Sequence, residues 1–130
     1  DLKIICPNIE VFGIDISKYA IKNAEIEVSD NCVVGNATTL PFPDKYFDLV
    51  ISINTLHNLY NYELDKGLKE ISRVSKKHSF ICVESYRNEN EKVNLLYWQL
   101  TCRIFNTPEE WLYNFKKIDY KGDYEFIYFE

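Results

Sequence analysis

Methionine is absent from the 130 residues, which open on aspartate. That start leads us to expect residues upstream of Asp1. Glycine is scarce: Gly13, Gly35, Gly67 and Gly122 complete the set, and no two of them make a Gly-x-Gly. A turn that brings backbone N–H groups against a nucleotide-like ligand needs such glycines. The chain therefore carries no glycine-rich binding loop. Its cysteines, Cys6, Cys32, Cys82 and Cys102, are widely spaced with no Cys-x-x-Cys. This spacing argues against both a disulfide framework and a metal site. Cys32 and Cys82 lie in apolar runs, where a free thiol behaves as a small buried hydrophobe. A reduced, cytoplasmic setting is expected. Basic charge is also short, with 15 Lys and Arg against 20 Asp and Glu for a net −5. That balance excludes broad phosphate-backbone binding, so no nucleic-acid partner is expected. No apolar run approaches transmembrane length and no secretory signal is present, so no membrane partner is expected either.

What is present is apolar and aromatic: 46% hydrophobic residues and 15% aromatics, enough for a folded core in one domain over residues 1–130. Ile9–Ile14 is an apolar run ending at Asp15, consistent with a buried strand. Ser17 can cap a helix through Ala24, with Tyr19, Ala20 and Ala24 on its inner side. Cys32–Gly35 makes a second short strand. Leu40-Pro41-Phe42-Pro43-Asp44 is no regular element, because two prolines remove donors and fix φ. Phe47–Ile53 is the strongest strand, nearly continuous in apolar residues as if both faces were covered.

Glu63–Ser75 has helical periodicity through Leu64, Leu68, Ile71 and Val74. The basic cluster of Arg73, Lys76, Lys77 and His78 falls at the expected end of that helix, where positive charge complements the dipole. Ser79–Glu84 is a further buried strand, and Val93–Phe105 reads as a mostly buried helix. Thr107-Pro108 with Glu110 predicts a helix start: a capping hydroxyl, proline at the first position and a glutamate three residues on. That helix should carry Trp111, Leu112 and Phe115 inward. Tyr124–Phe129 alternates like a final strand. Strands alternating with helices predict an α/β, Rossmann-like fold with a mainly parallel sheet and flanking helices. Such sheets bind ligands beyond the carboxyl ends of their strands.

Asp15, Asn36 and Ile53-Asn54 all fall at such ends. A carboxylate at Asp15 can accept from two vicinal ribose hydroxyls, or it can simply cap the next helix near Ser17. Asn36 offers donor and acceptor to an adenine edge and small Ala37 permits close approach, although asparagine also favours turns. Ile16 and Ile53 can sandwich a planar ring or belong to the core. His57 follows a strand end and could act as a general base or as a hydrogen-bonding pocket wall.

The run Gly35-Asn36-Ala37-Thr38-Thr39-Leu40-Pro41-Phe42-Pro43-Asp44-Lys45-Tyr46-Phe47-Asp48 resembles the Gly-(Asp/Asn)-Ala…Leu-Pro-Phe…Phe-Asp signature of class I S-adenosylmethionine-dependent methyltransferases, in the group containing the ubiquinone/menaquinone C-methyltransferases. Leu56-His57-Asn58 is similar to that group's step after the fourth strand. The resemblance covers roughly residues 9–85. It implies S-adenosyl-L-methionine as cofactor, with Asp15 on the ribose and Asn36 and Ala37 at the adenine. Ile53 and Asn54 would face the methionine end, and Asp48 would be structural. It also implies that the fold is N-terminally incomplete, with the first strand and its glycine-rich loop absent and the flanking strands left with open edges.

Two functions are expected on this basis. One is methyl transfer to a small-molecule acceptor by a partial domain with a weakened donor site. The acceptor pocket would lie over Tyr86–Thr107, in a zone made aromatic by Tyr60, Tyr62, Tyr86, Tyr97 and Trp98, rings that suit an apolar or planar acceptor or else belong to ordinary core packing, as is expected of Trp98. The other is a non-catalytic, methyltransferase-like interaction domain that forms a homo-oligomer through its exposed sheet edge. A nicotinamide dinucleotide fold also places an acid after a strand, but the Gly-Asn-Ala-x-x-Leu-Pro-Phe segment speaks against it.

Overall fold

The computed structural model describes residues 2–130. The chain falls into two compact units, Asp1–Ala37 and Thr38–Glu130. In the first, helix α1 (Leu2–Ile5) precedes strand β1 (Gly13–Asp15), helix α2 (Lys18–Lys22) and strand β2 (Cys32–Val34). β1 and β2 pair in parallel, with Gly13, Ile14 and Asp15 opposite Cys32, Val33 and Val34. The predicted strand 9–14 is thus shortened, because its partner offers only three residues. α2 starts where Ser17 predicts, its hydroxyl accepting from Ala20 N at 3.2 Å. It ends at Asn23, whose side chain bonds back to Tyr19 O. Tyr19 and Ala20 are exposed rather than inward; Ile21 and Ala24 are the half-buried residues. The φ of Gly35 is ordinary, but a Cβ there would come within 2.5 Å of Ile14 Cδ1. Glycine is what lets Ile14 lie against the end of β2.

The second unit holds a three-stranded parallel sheet in the order β3-β4-β5, built from β3 (Phe47–Ile53), β4 (Ser75–Glu84) and β5 (Asp123–Ile127). Helix α3 (Asn61–Val74) joins β3 to β4, while α4 (Glu89–Trp98) and α5 (Pro108–Lys117) join β4 to β5. Parallel strands need such crossovers. α3 begins two residues earlier than its apolar periodicity suggests, since Glu63 reaches back to the Tyr60 N–H at 3.1 Å. Leu64, Leu68, Ile71 and Val74 are buried as the periodicity requires. With Ile81 and Val83 of β4, Trp111 and Phe115 of α5, Leu56 and Ile104, they form the core. Lys117 and Asp65 add an ion pair between α5 and α3 at 2.6 Å.

Several expectations fail, each for a local reason. β3 is not covered on both faces: Ser52 points inward, while Leu49, Ile51 and Ile53 stay 40–57% exposed along the other face. β4 begins at Ser75, so Lys76, Lys77 and His78 open a strand instead of closing a helix. The Val93–Phe105 helix is displaced to Glu89–Trp98, because Asn88 caps it by accepting from Glu91 N. Only Leu95 and Glu91 on it are buried, while Trp98 is 69% exposed. The Thr107 capping box forms with Glu110 as predicted, but Leu112 lies at the surface.

Arg73 does far more than complement a dipole. Its guanidinium donates to Glu70 Oε1 at 2.6 Å, Glu70 Oε2 at 2.7 Å, Asp44 Oδ1 at 2.8 Å, Phe42 O at 2.8 Å and Leu40 O at 3.0 Å. Glu70 in turn accepts from Leu40 N at 2.7 Å. The arginine's hydrogen bonds hold the Glu70 carboxyl below the usual carboxylate range. The proline loop 40–44, which cannot pair with itself, is thereby satisfied from the last turns of α3. Replacing Arg73 by Ala should lower the urea unfolding midpoint, because hydrogen bonds to charged and backbone groups are left unmade. Arg73→Lys should recover less than half of that loss, because an ammonium lacks the planar fork.

Candidate functional site

The residues singled out in the sequence gather at carboxyl ends of strands in both units. In the first unit, Asp15 closes β1 opposite Val34, and Gly35 N donates to Asp15 O at 2.9 Å. Asp15, Ile16, Asn36 and Ala37 therefore share one end of the two-stranded parallel sheet. Asp15 Oδ1 accepts from Ser17 N at 2.7 Å, a turn bond that fixes the carboxylate at the surface. Ile16 beside it is 74% exposed. A carboxylate anchored by one oxygen next to bare apolar surface and an amide suits a ligand that has vicinal hydroxyls and a flat ring.

In the second unit, Ile53 closes β3 and is 57% exposed. Asn54 comes next in the left-handed region at φ 51°, which asparagine tolerates better than most residues. The conformation is held from three directions. Asn54 N donates to Cys82 O at 3.0 Å, Thr55 Oγ1 donates to Ile53 O, and Asn58 Nδ2 donates to Asn54 O at 3.0 Å. The chain then makes a 3-10 turn, Leu56–Asn58, that drives Leu56 into the core and carries His57 with it.

His57 is 1% exposed and Glu84, the last residue of β4, is 2% exposed. His57 Nε2 and Glu84 Oε2 lie 3.6 Å apart. Burial pushes the imidazole down to about 4 and pushes the Glu84 carboxyl up. A histidine this acidic is neutral at pH 7 and a weak proton acceptor, which favours the hydrogen-bonding role over the general base. The Gln99 amide bonds Glu84 Oε1, while Arg103 N and Ile104 N donate to His57 O at 2.8 and 3.0 Å. Residues 99–104, which carry no helix or strand, thus hold both members of the pair. The Arg103 guanidinium lies 4.0 Å from the centre of the Tyr60 ring, which stacks on Tyr62 at 5.2 Å.

Glu84 and Gln99 surround His57 in the candidate site, and sequence reasoning misses both. The available signal for Glu84 is an acid closing the buried run Phe80–Val83 at a strand's carboxyl end. Gln99 carries none. The aromatic zone predicted for an acceptor is largely at the surface, with Tyr62, Tyr97 and Trp98 69–87% exposed.

A family model described as a methyltransferase domain matches residues 2–83. The demethylmenaquinone methyltransferase of Anoxybacillus flavithermus is 37% identical over 86 residues, covering 61% of this chain and 35% of that protein. The chain spans about a third of the length of the curated relatives it matches. A crystal structure of a Pyrococcus horikoshii protein is 32% identical with a TM-score of 0.52, covering 60% of this chain and 40% of the other. A putative methyltransferase solved in complex with the Haloferax volcanii Trm112 methyltransferase activator reaches a TM-score of 0.66 at 21% identity, over 82% of this chain and 49% of the other. At that identity the likeness concerns the fold.

Acid should act on the two buried groups in opposite directions. The folded state resists protonating His57 down to about pH 4, whereas an unfolded histidine takes its proton near 6.5. Its contribution is present above pH 6.5 and lost as pH falls towards 4, by ~2–3 kcal/mol at about 1.4 kcal/mol per unit. Glu84 takes its proton earlier when folded than when unfolded, so it stabilises as pH falls. Urea unfolding at pH 7 and pH 5 should therefore show a smaller acid loss for His57→Gln than for the natural chain, and a larger one for Glu84→Gln.

Proposed function

The chain belongs to the methyltransferase domain family, and we propose that its activity is transfer of a methyl group from S-adenosyl-L-methionine to a small-molecule acceptor. The observation that carries this is the grouping at the end of the β1–β2 sheet. Asp15 is anchored by Ser17 with Ile16 bare beside it, and Asn36-Ala37 closes the next strand. In this proposal Asp15 takes the ribose hydroxyls, Ile16 lies against the adenine, and Asn36 and Ala37 meet its edge.

The donor supplies a methyl group already activated on a sulfonium. The chain's own part is then to hold, align and exclude water, so no strong base is required. The neutral, buried state of His57 accords with that division. The acceptor is proposed to be apolar or planar, on the strength of the stacked Tyr60 and Tyr62. With no Gly-x-Gly in the chain, the donor site is proposed to be weakened.

A second reading has its own support. Among the described residues β3 pairs only with β4, and it carries Leu49, Ile51 and Ile53 half-exposed. A free ladder edge beside apolar surface is a template for pairing with another chain. A methyltransferase-like interaction domain forming homo-oligomers would use it.

Calorimetric titration with S-adenosylhomocysteine separates the two. Saturable binding is expected with a Kd of ~100 μM or weaker, and Asp15→Ala should weaken it by about tenfold, the worth of one charged hydrogen bond. Absence of binding, together with a stable dimer by light scattering, would leave the interaction domain. A Kd of ~1 μM would show that the donor site is not weakened.

A further inference from the structure

The chain has three arginines, and their guanidinium groups meet different surroundings. Arg73 pairs with Glu70 and Asp44, and Arg87 pairs with Glu91 and Glu130. Arg103 forms no ion pair among the described residues. Its side chain is exposed, and its guanidinium lies 4.0 Å from the centre of the Tyr60 ring. Stacking of this kind uses the flat face of the group and leaves its N–H donors pointing outward in the plane. Arg87 shows the same arrangement completed: it lies 4.0 Å from the centre of the Tyr128 ring while its fork holds two carboxylates. Arg103 has the ring without a carboxylate from the chain itself.

Both members of this stack are fixed by the main chain. Tyr60 precedes α3, and its N–H donates to Glu63 Oε2 at 3.1 Å. The Arg103 N–H donates to His57 O at 2.8 Å, in the 3-10 turn that follows β3. The stack therefore stands beyond the carboxyl end of a parallel strand, where such sheets take ligands. Tyr62 extends it, parallel to Tyr60 within 8° and 5.2 Å away. Tyr60 is 45% and Tyr62 76% exposed, so a ligand reaches rings and guanidinium with no element displaced. A chain of net charge −5 repels anions in general, which makes one unpaired guanidinium on an aromatic step a selective place for one.

We propose that Arg103 is the anion-recognising residue of the acceptor site, taking the carboxylate of an aromatic acid whose planar body lies against Tyr60 and Tyr62. The inference rests on the methyl-transfer reading for the identity of that ligand as the acceptor. The two oxygens of a carboxylate match the in-plane fork of a guanidinium, and the tyrosines supply the apolar surface for the ring. A carboxylate is also present on the amino-acid end of the donor, so the experiment separates the two sources.

Proton–nitrogen NMR of the arginine Nε–H groups reads this directly, since the chain has only three. Titration with 2-naphthoate should move the Arg103 signal saturably, with a Kd on the order of 1 mM, and leave those of Arg73 and Arg87 in place. 2-Naphthol, the same ring without the carboxylate, should bind about tenfold more weakly, as should 2-naphthoate to Arg103→Gln. Circular dichroism checks that the variant is folded. Should it fail to fold, Tyr60→Leu, which removes the platform, carries the same expectation, while Tyr60→Phe should bind as the natural chain does. An unmoved Arg103 signal, or equal binding of naphthol and naphthoate, would overturn the proposal and leave Arg103 as a tether between its own segment and α3. Inorganic phosphate binding as tightly as 2-naphthoate would overturn the aromatic acid. S-adenosylhomocysteine displacing 2-naphthoate from Arg103 would assign the fork to the donor and overturn the acceptor role. Failure of S-adenosylhomocysteine to bind at all, with the naphthoate response intact, removes the methyl-transfer reading and leaves the carboxylate site. The converse result removes that site alone.

Discussion

The second unit depends on one guanidinium. The loop 40–44 carries two prolines and cannot close on itself, yet it delivers the chain into β3 at Phe47. Arg73 meets that need from the end of α3, taking two backbone carbonyls and two carboxylates in a single plane. Lys45 N then donates to Arg73 O at 2.8 Å, so side chain and main chain bind the same segment. Start of β3, end of α3 and start of β4 are thereby fixed relative to one another. The strand ends that carry Asn54, His57 and Glu84 inherit their positions from that junction. Arginine suits it because its five donors are pre-arranged, and a point charge would hold one partner at a time.

That junction sets a polar centre at one end of an otherwise apolar core. Leu56 and Ile104 are fully buried, Ile104 N donates to His57 O, and Trp111 donates its indole N–H to Glu84 O at 3.1 Å. The pair is therefore enclosed by packing that cannot relax without opening the core. The neutrality of the imidazole at physiological pH has a physical origin in that enclosure.

Legibility in the sequence divides along the line between local and distant causes. The helix at Pro108 is readable to the residue, because Thr107, Pro108 and Glu110 each act within one turn. Phe47–Ile53 is readable because its composition leaves no other state, and the strand-end residues Asp15 and Asn36 fall where a parallel pair puts them. The burial of β3 is not readable. Composition reports that a face is apolar but not whether anything covers it. Trp98 is misplaced for the same reason, since a helix rich in Leu, Tyr and Trp looks buried when only Leu95 is. Glu84 and Gln99 escape because their partners sit 27 and 15 residues away, across a helix and two loops, and no periodicity connects them. Arg73 reads as a charge at a helix end, whereas its target is a loop about thirty residues earlier.

The two tryptophans sit in opposite environments, and this gives the chain a built-in pair of optical reporters. Trp111 is fully enclosed with its N–H bonded to a carbonyl, while Trp98, at the end of α4, is mostly in water beside Phe129 at 5.7 Å. Emission from the first is blue-shifted and closed to aqueous quenchers until the core melts. Emission from the second is red-shifted and quenchable from the outset. A change confined to the surface around Trp98 therefore alters the quenchable fraction alone, whereas loss of the fold changes both.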